Sequence, residues 1–129
     1  MASGECSHAE GYSTRADGKA SHAEGSGNTS GDYSHAEGSG SAFGSYSHAE
    51  GYDTYTKGNY SHAEGYDTFA GGECSHTEGN DTSANGICSH AEGYYTRANG
   101  DYSHAEGCGK NWAHLGANGK YSHIEGYCT

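Results

Sequence analysis

The chain has 129 residues, a formal net charge of −11, 23 Gly, no Pro and only six Lys+Arg. So few basic residues argue against a nucleic-acid partner, and no apolar run approaches the length of a membrane span. Val is absent, with one Leu, two Ile and two Phe. Such a shortage of large aliphatics at high charge ordinarily means disorder, because too little apolar surface offsets chain entropy.

Strict repetition argues for order instead. The word Ser-His-Ala-Glu-Gly begins at Ser7, Ser21, Ser34, Ser47, Ser61, Ser75, Ser89, Ser103 and Ser122, with Thr77 and Ile124 replacing Ala in two copies. Successive starts are 14, 13, 13, 14, 14, 14, 14 and 19 residues apart. A period of this kind marks a solenoid in which each copy is one rung stacked on the last, so residues 1–129 form one repeat domain. The first residues, Met1-Ala2-Ser3-Gly4, do not read as a signal peptide.

The rung consensus is Ser-His-Ala-Glu-Gly-Tyr-x-Thr-x-Ala-x-Gly-x-Tyr, as in Ser61 to Cys74 and Ser89 to Tyr102. Gly in every half-rung excludes a helix, and its spacing excludes collagen. Two short strands per rung remain. Alternation in the first sends Ser, Ala and Gly inward, with His, Glu and the preceding Tyr or Cys outward; in the second, Thr and Ala share a side with the second Gly. An inward set no larger than Thr predicts a thin, flattened coil. Asp17-Gly18, Asn85-Gly86, Asn99-Gly100 and Asn118-Gly119 are read as turns with left-handed backbone. The 13-residue rungs from Ser21 and Ser34 replace Tyr-x-Thr by Ser-Gly, which places their deletion in the first turn.

The spacing Ser-x-Ala-x-Gly-x-x-Ser/Thr-x-Ala-x-Gly, running from about Cys6 to Gly126, resembles the YadA-like head repeat of trimeric autotransporter adhesins. The resemblance implies a left-handed parallel β-roll, three rolls packed about an axis as a homotrimer, and an extracellular place on a bacterial surface or in a virion fibre. Family rungs commonly carry Val and Ile where this chain has His and Glu, so a trimer here needs a different seam.

Stacking identical rungs puts identical residues about 4.8 Å apart. His8, His22, His35, His48, His62, His76, His90, His104 and His123 then form one column, and Glu10, Glu24, Glu37, Glu50, Glu64, Glu78, Glu92, Glu106 and Glu125 a second beside it. These are the candidates for the trimer interface, with His of one chain meeting Glu of the next. Partners gained in this way would raise the folded His pKa. Full protonation of the ten His takes the formal charge from −11 to about −1 (−11 + 10).

Cys74, His76, Cys88 and His90 resemble a zinc ligand set in type, but parallel columns do not aim four side chains at one tetrahedral centre. No cofactor is expected beyond adventitious divalent metal on the His column. The five cysteines are odd in number and read as free thiols. Residues 108–116 form an insertion in the last long rung and hold the single Trp and Leu; Trp112 and Leu115 read as a hydrophobic plug.

Ser-His-x-Glu suggests a triad, but alternation separates Ser from His and Glu, and nine equal copies contradict one tuned site. The sequence therefore reads as a non-enzymatic structural or adhesive module with a host-surface protein or glycan as possible ligand. The alternative is a binding solenoid whose regular face recognises metal, glycan or ice.

Overall fold

The computed structural model describes residues 1–110 and 114–127. They form an all-β parallel solenoid whose strands alternate between two sheets. The nine-stranded sheet takes the motif strands, from β1 (His8–Gly11) to β17 (His123–Tyr127). The eight-stranded sheet takes the short return strands, from β2 (Arg15–Ala16) to β16 (Leu115–Ala117). Register is fixed residue upon residue: His62 pairs with His76, Glu64 with Glu78 and Gly65 with Gly79. No helix lies among the described residues.

The core lies between the sheets and is built from very small side chains. Ala23, Ala36, Ala49, Ala63, Ala91 and Ala105 from the motif strands face Ala16, Ala42, Ala70, Ala84 and Ala98 from the return strands, all fully buried. Buried Ser and Thr complete it. The exposed surface of 6461 Å² matches the roughly 6,500 Å² of an ordinary monomer of this mass. Neighbouring rungs alone thus supply the burial that one rung lacks.

Each conserved letter of the rung has a physical task. The motif Ser closes the turn before it: Ser21, Ser34, Ser47, Ser61, Ser75 and Ser89 donate from Oγ to the carbonyl of the Gly three residues earlier at 2.6–2.7 Å. Those glycines are needed for closeness. A β-carbon at Gly72 would lie 2.0 Å from the carbonyl oxygen of Gly86 in the next rung. The left-handed backbone expected at the Asn-Gly and Asp-Gly pairs sits elsewhere. It falls on the residue before the motif Ser, such as Tyr60 (φ 58) and Cys74 (φ 55), and on Asp53, Asp67 and Asp81 before the buried Thr.

A second correction concerns the motif Gly. It does not point inward: Gly51, Gly65 and Gly79 are exposed and sit near φ 112–115, a conformation other residues rarely adopt. They turn the strand out of its pleat into the first corner. In the two short rungs, Gly25 and Gly38 adopt φ 77 and 74 instead, and Gly27 and Gly40 occupy the buried place of Thr. The deletion therefore falls in the first turn, as the sequence indicates.

The long final spacing uses the same corner. Leu115 pairs with Thr96, so it enters the lumen where other rungs place Thr, and it is 4% exposed. Ile124 packs against the neighbouring alanines. Trp112, the other half of the expected plug, lies outside the described residues.

The internal hydroxyls are not equivalent, which makes them testable. Ser75→Ala leaves the Gly72 carbonyl without its side-chain donor and is expected to cost about 1–2 kcal/mol in urea unfolding followed by circular dichroism. The hydroxyls of Thr54, Thr68, Thr82 and Thr96 are buried without a partner, so Thr68→Val is expected to be neutral or stabilising in the same assay. Gly72→Ala cannot be accommodated by a side-chain movement, because the obstacle is backbone; loss of the folded circular dichroism signal is expected.

Candidate functional site

The outer face of the nine-stranded sheet carries the His and Glu columns where the sequence places them. In the described face, imidazoles from His8 to His123 follow one another at centroid separations of 4.7–5.0 Å. From His22 to His104 the ring planes are within 6° of parallel. His8, at the end of the column, is turned 87° to His22. The stack follows from strand pitch: in-register parallel strands leave a flat ring no other neighbour than its own copy.

Eight of the nine motif His, all but His35, also approach the Glu two residues on in their own strand. The Nε2–Oε2 separation is 3.5 Å for His22–Glu24, His48–Glu50, His62–Glu64 and His90–Glu92, and 3.4 Å for His104–Glu106. His76–Glu78 and His123–Glu125 are wider at 3.9 and 3.8 Å, and His8–Glu10 is 3.3 Å. The expected partner of His was Glu of another chain; the Glu on its own strand already stands beside it. Yet the pairing is incomplete. The Nε2 atoms of His22, His35, His48, His62, His76, His90 and His104 are shut off from solvent and have no hydrogen-bond partner. The carboxylate is near enough for attraction but forms no hydrogen bond with them.

The pKa direction expected from sequence is reversed at two positions. His48 and His90 lie below the ordinary value of 6.5, first because burial penalises the imidazolium and then because the imidazoles above and below would be like charges. The adjacent glutamates oppose the shift without overcoming it.

Donor atoms converge along this face. His22–Glu24–His35, His35–Glu37–His48, His48–Glu50–His62, His76–Glu78–His90 and His90–Glu92–His104 each bring three ligand atoms within 4.8 Å of one another. His76 and His90, two of the four residues that resemble a zinc set in type, share such a group with Glu78. The other two members, Cys74 and Cys88, are exposed free thiols at the turn, as is Cys6. Cys128 lies outside the described residues.

Rows of tyrosine flank the His and Glu columns at both strand ends. Tyr33, Tyr46 and Tyr60 stack at 4.9 and 5.2 Å before the motif, and Tyr52 on Tyr66 at 5.2 Å after it. Most are about half exposed, so ring faces are covered by their own copies while the edges remain wet. The buried Thr and Ser rows leave no Thr column on the outside among the described residues.

One pairing escaped sequence reasoning. His114, the single His outside the motif, reaches Asp81 at 3.3 Å across 33 positions and lies edge-on to Tyr95 at 5.4 Å. It ties the insertion to the column of Asp53, Asp67 and Asp81, where burial and then the flanking carboxylates hold Asp67 above its usual range. The only available signal was a tenth His in a rung that breaks the period.

Comparison with protein-family models gives no match, and neither does comparison with curated proteins.

The lowered His48 and His90 values fix the sign of a pH effect. The unfolded chain binds protons at these sites more readily than the folded one. Their contribution is fully present above the unfolded value of 6.5 and is lost as pH falls through the lower folded values. In a chelator-containing buffer, melting temperature is expected to rise between about pH 5 and about pH 8, and less steeply in His48→Gln/His90→Gln. A melting temperature that falls across this range contradicts the reversed shift.

Proposed function

We propose that this chain is a structural or adhesive module, a rigid segment of a cell-surface adhesin or phage-type fibre, whose His–Glu face packs against copies of itself in a homotrimer. The observation carrying this reading is the His–Glu face itself, regular from rung to rung, with the paired imidazoles and carboxylates between His22 and Glu106 35–44% exposed. A second strand stack can approach with donors and acceptors at the same repeat, so one matched rung places every other rung in register.

That argument favours a copy of this chain over an unrelated partner. An irregular surface meets a regular ladder at a few rungs only, whereas a like ladder meets it at all of them. The flanking Tyr rows add amphipathic area at the rim of the same face. A seam of this type sets register and chain number without a greasy core. It takes the place of the Val and Ile positions in the adhesin heads that the repeat resembles.

The inward hydroxyls support a non-enzymatic role. The motif serines donate to turn carbonyls inside the coil, and His and Glu stand outside, so the Ser-His-x-Glu word does not assemble a nucleophile with its base. The exposed tyrosine edges are the surface we assign to a host protein or glycan on an extracellular fibre.

Solution mass by multi-angle light scattering tests the seam. Three times the chain mass is expected at neutral pH. Glu64→Arg, which sets a cation in the middle of the His column, is expected to lower the mass to that of one chain while the β-sheet circular dichroism is retained. A single-chain mass for the unsubstituted protein at both mildly acid and neutral pH overturns the trimer.

A further inference from the structure

The geometry points to the His–Glu face as a linear array of divalent transition-metal sites of the zinc class, each built from His Nε2 and Glu Oε2 of one rung with the next rung's His as third ligand. The first support is the bite of the pair. With metal–nitrogen and metal–oxygen bonds of about 2.1 Å, a tetrahedral ion spans two donor atoms about 3.4 Å apart. His22–Glu24, His48–Glu50, His62–Glu64 and His90–Glu92 present 3.5 Å, and His104–Glu106 3.4 Å. A pair that forms no hydrogen bond is therefore already spaced as a chelating pair.

The second support is independent of that distance. The Nε2 atoms from His22 to His104 have no hydrogen-bond partner, so binding an ion breaks no hydrogen bond of theirs. Imidazole with carboxylate suits zinc, nickel and copper rather than calcium or magnesium. The third ligand requires a movement. Stacked imidazoles aim their lone pairs in parallel planes, and one ion cannot lie in both. One ring must leave the stack, as His8 has done at the end of the column.

Two consequences set the occupancy. A His that serves one ion is lost to the next triplet, and two divalent ions a rung apart repel with four times the energy of two single charges. Ions therefore occupy alternate rung pairs. His22–Glu24–His35, His48–Glu50–His62 and His76–Glu78–His90 share no residue, and nine rungs contain four disjoint pairs. Saturation is expected at three or four ions per chain. The array needs one chain only and does not rest on the trimer.

Cobalt(II) is the probe, titrated into the intact chain and followed by the visible absorption of a tetrahedral site, with zinc competition against a chromophoric chelator. Saturation at three or four ions per chain is expected, and it is expected to persist in Cys74→Ala/Cys88→Ala. Replacing every second histidine (His22→Gln, His48→Gln, His76→Gln and His104→Gln) breaks every triplet in either register while sparing half of the His–Glu pairs. Affinity is expected to fall at least tenfold. Saturation near nine ions, absence of saturable binding, or undiminished affinity in the folded fourfold variant overturns the array. If that variant does not fold, the stoichiometry of the unsubstituted chain decides. Light scattering on the same samples separates the two ideas: a monomer that binds three or four ions keeps the array and removes the trimer.

Discussion

Everything in this fold depends on the closeness of one rung to the next at the second glycine. From Gly18 to Gly100 the place a β-carbon would occupy lies 1.9–2.1 Å from the carbonyl oxygen of the following turn. No other residue fits, so the corner cannot drift, and the strands on either side are held in one register over the whole stack. The motif serine fastens the same carbonyl from inside. A lumen this thin then admits Ala, Ser and Thr, and the poverty in large aliphatics that looked like disorder is what the geometry demands. Cohesion comes from the backbone ladder and close packing of small groups in place of bulky apolar side chains.

Exact superposition of rungs has a cost at the surface. It lays like charge on like charge: two carboxylates about 4.8 Å apart repel by about 0.9 kcal/mol even at water's dielectric constant. The chain places an imidazole beside each carboxylate, on the same strand, where it moderates the field. The imidazoles in turn crowd one another. At His48 and His90 burial and neighbouring rings outweigh the glutamates, and the neutral form is favoured. The face is thus a compromise among repeated groups, closely stacked and unfinished as a hydrogen-bonding surface.

Much of this was legible in the sequence because a repeat multiplies every signal. One Ser-His-Ala-Glu-Gly is uninformative; nine in register reveal the two strands, the inward Ser, Ala and Thr, and the outward columns. The short rungs also disclosed their own deletion, since Ser-Gly replaces Tyr-x-Thr at a single place. What failed was local. Asn-Gly and Asp-Gly pairs suggested left-handed turns, yet those glycines serve steric approach, and the left-handed backbone falls on Tyr60, Cys74 and their equivalents. Alternation sent the motif Gly inward, because a period of two does not foresee the positive φ that ends the strand. The direction of the His shifts was missed for a related reason: sequence spacing displays the Glu beside each His and the rings stacked on it, but not how far that packing buries the imidazole. The His114–Asp81 contact depends on where an aperiodic insertion folds back, and no pattern announces that.

The three rung lengths of this chain differ at one corner only. The 13-residue rungs shorten it, the 14-residue rungs turn through Asp or its equivalent, and the 19-residue rung carries its extra residues there, before Leu115 re-enters the stack. The opposite corner, pinned by glycine and serine, keeps its length throughout. The solenoid therefore has a permissive edge and an invariant one. Foreign peptide spliced at the permissive edge would be carried at a chosen height along the rod, with the ladder of rings and carboxylates undisturbed beneath it.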